Sequence, residues 1–287
     1  MAMAAAATSR DAWAVPPAEA VPEAKALMSR VYGDGPGVKP YSDYKGRYLW
    51  TDAHGVCVYV ALARETGDAA FLARAEALVA DVHATLGRDR RGAPLGSEEA
   101  PLSGGLRIGK VHDEGHPDGD GQYMHYLTKW ALALNRLGLA RGELAHYNAL
   151  AIQLLKAAHR HFVWATPGGA LHMRWKMSVD LRTPAVLSEG NLDAFDCLAT
   201  YRLLQEHAPH DSPHTLHAEI TGATQQHAEA CASLCFLADC FIPFALLQTW
   251  RAWFVGRCPR GRAAMRWTWA RRCRWLRGTR ARRGAAF

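Results

Sequence analysis

What most constrains this chain is a helical hairpin that recurs along it. From Tyr48 onward apolar residues fall three and four apart: Val56, Tyr59, Val60 and Ala63 within about 52–64, then Phe71, Leu72, Ala75, Leu78, Val79, Val82 and Leu86. That spacing puts each set on one side of an α-helix. Gly67 breaks the first helix, Asp68 caps the second and Gly87 stops it, so the two read as an antiparallel pair with a short turn. A second pair is expected at about 120–137 and 143–162, its later helix striped by Leu144, Tyr147, Leu150, Ala151, Leu154, Leu155, Ala158 and Phe162, and a third first-helix at 191–207. An acidic residue marks each entrance, Asp52 in LWTDAHG, Asp120 in DGDGQYM and Asp193 in GNLDAFD, at separations of 68 and 73 residues. A hairpin cannot bury its apolar face alone, so the pairs must stack; the fold class is all-α, as an open solenoid or an arc of an α/α toroid.

The rest of the chain is organised around this domain, which spans 41–220. Residues 1–40 form an Ala-, Pro- and Gly-rich arm with a short helical candidate at 23–31. Between the pairs lie a Gly-rich loop at 88–118 and an excursion at 163–187 with some strand character. Residues 221–287 change to a Cys-, Trp- and Arg-rich tail without periodicity. Its wording resembles GC-rich non-coding sequence read in the wrong frame, the alternative being a disordered basic tail. Of the 34 basic side chains, twelve arginines fall in 251–287, which has no acidic residue, so residues 1–250 hold 22 basic against 27 acidic groups. The net charge of +7 therefore belongs to the tail, and the body offers no basic stripe for nucleic acid. Only Cys57 and Cys197 of seven cysteines lie in the body, which fits a reducing compartment better than a disulfide framework. The stretch 231–254 is long and apolar but carries Asp239, Pro243 and Arg251, against a membrane span. A cytoplasmic protein is expected, a short organelle transit peptide at the Ala-rich start being the alternative.

A carboxylate at a helix entrance needs no function, because the unpaired N–H groups there stabilise an anion. Asp68 is read as a cap only. Asp52 and Asp120 differ in being set among aromatics, with Tyr44, Tyr48 and Trp50 before the one and Tyr123 and Tyr126 after the other. Sugar sites use that mixture, aromatic faces stacking on the ring while carboxylates bind hydroxyls or move protons. The densest polar passage, 104–130, holds Arg107, Lys110, His112, Asp113, Glu114, His116, Asp118, Asp120, Gln122 and His125. The segment from 171 adds His172, Arg174, Trp175, Lys176 and Asp180, the plain reading of which is a solvated hairpin. A metal set of His112, His116, Asp118 and Asp120 can be drawn, but it sits on a flexible loop without recognised ligand spacing, and no metal or other cofactor is expected. GGLRIGK does not complete a phosphate loop, and no Gly-x-Ser-x-Gly elbow occurs.

With RYLWTDAHGVCVYVALARETGDAAFLARA, GGLRIGK, DGDGQYMHYLTKWALAL and RWKMSVDL in that order, residues 41–208 resemble the six-hairpin glycosidase-like superfamily, most of all an uncharacterised branch of it. The resemblance implies an (α/α)6 toroid and a carbohydrate substrate bound where the inner helices begin. Asp52, Asp120 and Asp193 would supply acid and base, and Trp50, Arg107, Lys110, Gln122, Tyr123, His125, Trp175 and Lys176 would bind substrate. RYLW is also similar to the opening of the N-acylglucosamine 2-epimerase group, which implies histidines as acid and base and makes His54, His112 and His125 the alternative candidates. A non-catalytic helical-repeat binding protein is a third reading. Six hairpins need roughly 350 residues or more at this repeat length, whereas about 2.5 to 3 are recognisable here, so an incomplete or inactive product is expected.

Overall fold

A computed structural model describes residues 17–35, 37–39, 46–190, 192–208 and 215–224. The expected segment 231–254, the rest of the tail beyond 224 and Tyr44 lie outside these residues. The described residues are mostly helical. Helix α1 covers Pro17–Tyr32, α2 Leu49–Thr66, α3 Ala70–Leu86, α4 Met124–Arg141, α5 Leu144–Phe162 and α6 Asp193–Glu206, and a further helix, α7, occupies residues 217–224. Short strands β1 (Gln122–Tyr123), β2 (Val163–Ala165), β3 (Leu171–Met173) and β4 (Lys176–Met177) join as two antiparallel ladders, β1 with β4 and β2 with β3. No helix among the described residues is long and apolar enough to cross a membrane.

The hairpin grammar read from periodicity is present. Gly67 ends α2 in the left-handed conformation with its N–H on Ala63 O, and the Asp68 carboxylate accepts the Ala70 N–H at 2.9 Å. Helices α2, α4 and α6 pack side by side as a front row; α3 lies against α2 and α4, and α5 against α4 and α6. The buried stripes fill the space between rows: Leu78, Val82 and Leu86 of α3, Leu127, Trp130 and Leu134 of α4, Leu154, Leu155 and Phe162 of α5, and Tyr201 and Leu204 of α6. At roughly 25 cal/mol per Å2 of apolar surface, this burial is the main force holding the rows together. Residues 215–224 continue the pattern: Leu216 and Ala223 are buried, and the Lys156 ammonium of α5 donates to Thr215 O at 2.8 Å.

The spacing of the front helices corrects the sequence reading. They begin at Leu49, Met124 and Asp193, 75 and 69 residues apart. Asp120 therefore does not open α4. Gln122 and Tyr123 are extended, paired with β4, and the helix cannot start until Met124. The entrances are also closed differently from the expected acidic cap, since neither Tyr48 nor Tyr123 at the N-cap of α2 or α4 makes a side-chain cap bond. The connection leaving each pair returns to satisfy that pair's own entrance. After α3, Arg107 donates its backbone N–H to Leu86 O, the last residue of that helix, and Ile108 O accepts the Leu49 N–H at 3.0 Å. After α5, Arg174 donates its N–H to Phe162 O and Trp175 O accepts the Met124 N–H at 3.1 Å. RIGK and RWK thus close equivalent entrances in successive units.

On its other side α2 meets α1. The Tyr32 ring sits in a notch made by Gly55, where a Cβ would lie 2.2 Å from the tyrosine oxygen. Tyr32 Oη donates to Asp52 Oδ1 at 3.1 Å, and the Arg47 guanidinium lies 3.5 Å from the same oxygen while pairing also with Asp81. Asp52 Oδ2 is buried without a hydrogen-bond partner. Burial outweighs Arg47 and Tyr32, and the Asp52 carboxyl is pushed up to about 6. Behind α4, burial pushes His83 down to about 4, so its neutral ring accepts the Trp130 indole N–H at 3.0 Å.

These two groups oppose each other in one pH window. Native Asp52 holds a proton that the unfolded chain has released above about pH 4, so this residue's contribution to stability falls as pH rises towards 6, by about 3 kcal/mol in all. Native His83 refuses a proton that the unfolded chain takes up below 6.5, so its contribution falls as pH drops towards 4. Urea unfolding of Asp52→Asn between pH 4 and 7 should therefore lose the first slope, leaving a protein that weakens more steeply on acidification than the wild type; identical pH profiles would refute the assignment.

Candidate functional site

The first turns of the front row bring aromatic and ionisable side chains to one rim. Trp50 and His54 lie one turn apart on α2, their rings 4.8 Å centre to centre, and Trp50 reaches across to His125 at 5.9 Å and Tyr126 at 5.1 Å on α4. Tyr123, the residue before α4, stacks on His125 at 5.5 Å and 16° and leans on Trp175 at 5.3 Å. Tyr48 and Tyr126 share a 2.7 Å contact between hydroxyls. Trp175 is held by its indole N–H on Ser188 Oγ at 2.8 Å. The ring set is fixed by backbone: β1 and β4 pair Tyr123 with Lys176, and Trp175 O holds the α4 entrance.

Within this set, His125 Nδ1 stands 3.4 Å from Asp193 Oδ1 across the gap between α4 and α6. Asp193 is the first residue of α6, and its Oδ1 is buried without a hydrogen-bond partner, so the imidazole is the polar group that faces it. One turn further in, Asp196 accepts from both Thr128 and Lys129 of α4. Burial and the neighbouring Lys129 together hold His54 below its ordinary value, favouring the neutral ring.

The three acidic residues expected to act together are separated by their partners. Asp193 faces the rim. Asp52 faces the opposite way, into the Tyr32 and Arg47 pocket, because residues two apart on a helix point to nearly opposite sides. Asp120 is fully buried in a structural network: Oδ1 accepts the backbone N–H groups of Gly109, Lys110 and Gly121 at 3.0–3.2 Å, and Oδ2 accepts Arg107 at 2.7 Å. That bond, with those to Arg88 O and Thr85 O, occupies the Arg107 guanidinium. Gln122 is likewise committed, accepting the Leu106 N–H and donating to Gly104 O and Val179 O. Trp50, Tyr123, His125 and Trp175 meet at the rim, with Lys110 and Lys176 reaching the Tyr123 ring. His112 and His116 stack on each other on an exposed turn, 3.9 Å between centres. Among the described residues no group of three or more His, Cys, Asp or Glu side chains is arranged to hold a metal.

Lys129 and Asp196 escape a reading of the sequence, although a signal for Asp196 exists. Aligning the helices by their first residues makes Asp196 the counterpart of Asp52, each the fourth residue of its helix. A cavity of about 390 Å3 lies elsewhere, between α1 and α2–α3. It is lined by Arg74, whose donors are spent on Tyr59 Oη, Gly33 O and Gly35 O, and it lies apart from the rim residues. No family model, curated protein or solved structure matches the chain.

Removing one partner of a buried charge network is costly. Asp120→Ala should destabilise the fold by roughly 3–5 kcal/mol in urea titration, with Arg107 left uncompensated; a loss below about 1 kcal/mol would show the network to be dispensable.

Proposed function

We propose that this chain is a carbohydrate-active protein, its helical pairs an arc of an α/α toroid, and that it moves a proton on a sugar bound at the rim, with His125 as the base and Asp193 as the group that orients it. The observation that carries the proposal is the His125–Asp193 contact, with Trp50, Tyr123 and Tyr126 against the imidazole and Trp175 beside Tyr123. Aromatic faces match the apolar faces of pyranose rings, and a carboxylate facing Nδ1 favours the tautomer that leaves the Nε2 lone pair for chemistry. A base so placed removes a proton from the carbon beside a sugar carbonyl and returns one either to that carbon, as an epimerase does, or to the former carbonyl carbon, as an aldose–ketose isomerase does.

Hydrolysis by two carboxylates is the weaker reading. It requires two acids flanking the scissile bond at about 5 to 9.5 Å. Asp52 and Asp120 are each committed to buried partners, and Asp196 is held by Lys129 and Thr128. Asp193 alone then lacks a second acid of the set expected from the sequence.

The readings separate in one assay. Incubation with reducing hexoses and N-acylhexosamines in deuterated water should wash deuterium into the C2 position, read by proton NMR. His125→Ala should abolish that exchange, and Asp193→Asn should slow it by about 10²-fold while the far-UV dichroism is unchanged. Hydrolysis of aryl glycosides without exchange would overturn the proton-transfer reading in favour of glycosidase chemistry. Quenching of tryptophan fluorescence by sugars with neither reaction would leave a binding protein.

A further inference from the structure

Two lysines, one from each of the segments that close a front-helix entrance, converge on one ring. Lys110 ends RIGK and Lys176 ends RWK, the segments that close the α2 and α4 entrances, and their ammonium nitrogens lie 5.6 and 5.4 Å from the centre of the Tyr123 ring. Burial above all, and then the like charge of Lys110, pushes the Lys176 ammonium below its ordinary value. Lys176 is only 5% exposed, and it donates to Gly119 O at 2.8 Å, whereas an ammonium carries three donors.

Asp118 answers this charge, together with Asp120 and Glu114. The Asp118 carboxylate accepts from Lys110, and Lys110 first, then His112 and Lys176, hold it below the usual carboxylate range. Yet Asp118 is not built in as Asp120 is. Its side chain is 72% exposed, on a turn closed by His116 N–H to Asp113 O and Gly119 N–H to His116 O, all four residues from His112 to Gly115 being exposed. An ion pair so open to water holds weakly and is readily exchanged.

We propose that Lys110, Lys176 and Tyr123 form a carboxylate subsite of the sugar rim, which Asp118 fills until the carboxylate of an acidic sugar displaces it. The inference rests on the sugar reading above and adds the substrate class, a uronic acid. The geometry suits it: the buried Tyr123 ring that receives both lysines is the one stacked on His125, so a carboxylate that takes the place of Asp118 on Lys110 stands one aromatic ring away from the base.

The test is a calorimetric or fluorescence titration with D-glucuronate and with D-glucose on the wild type, Asp118→Asn and Lys110→Gln. Glucuronate is expected to bind about tenfold more tightly than glucose. Asp118→Asn should widen the ratio by roughly threefold, because the resident competitor loses its charge, and Lys110→Gln should collapse it towards one. Equal affinities for the two sugars, or a ratio unmoved by Asp118→Asn, would overturn the subsite while leaving the sugar reading in place. Failure of every variant and the wild type to bind either sugar would remove both.

Discussion

A helix entrance leaves backbone N–H groups that must find an acceptor, and this fold answers that need with the connections between its helical pairs. The chain leaving α3 bonds back to the end of that helix through Arg107 and then to the start of α2 through Ile108; the chain leaving α5 does the same through Arg174 and Trp175. The buried Asp120 carboxylate makes the first return rigid by gathering three backbone N–H groups and Arg107. Because these returns cross the mouths of the front helices, they also deliver Lys110, Trp175 and Lys176 to the rim. Closure of the helix ends and assembly of the rim are one act.

The back helices are the most legible elements of the sequence. The stripes of α3 and α5 are long, apolar and bounded by Gly or Glu, and burial against the front row decides their position with little ambiguity. Front-row entrances are less so. DGDGQYM resembles LWTDAHG in composition, but two residues of it pair with Lys176 and Met177, over fifty positions away, and that long-range ladder moves the start of α4 past Asp120. Local pattern carries no information about a partner strand so distant.

The site is legible in its aromatics and misleading in its acids. Trp50, Tyr123, His125 and Trp175 stand out by type and do meet. Carboxylates serve charge networks as readily as chemistry, and only burial partners tell the uses apart: Asp52 answers Arg47 and Tyr32, Asp120 answers a loop, and Asp193 is left facing an imidazole. Asp196 shows the cost of anchoring a repeat on one residue type instead of on helix register, since it falls at the position of Asp52 yet bonds to Lys129 and Thr128 of the neighbouring helix.

The returning connections have a consequence for how such a molecule can vary. Each is fastened at the end of the back helix and at the mouth of the front one, and beyond Lys110 the chain runs out into an exposed turn at residues 111–118. Residues may be added to or removed from such a turn without disturbing the register of the rings below it. The helical pairs therefore act as a chassis, and such a turn, which carries Asp118, is an interchangeable piece of the rim.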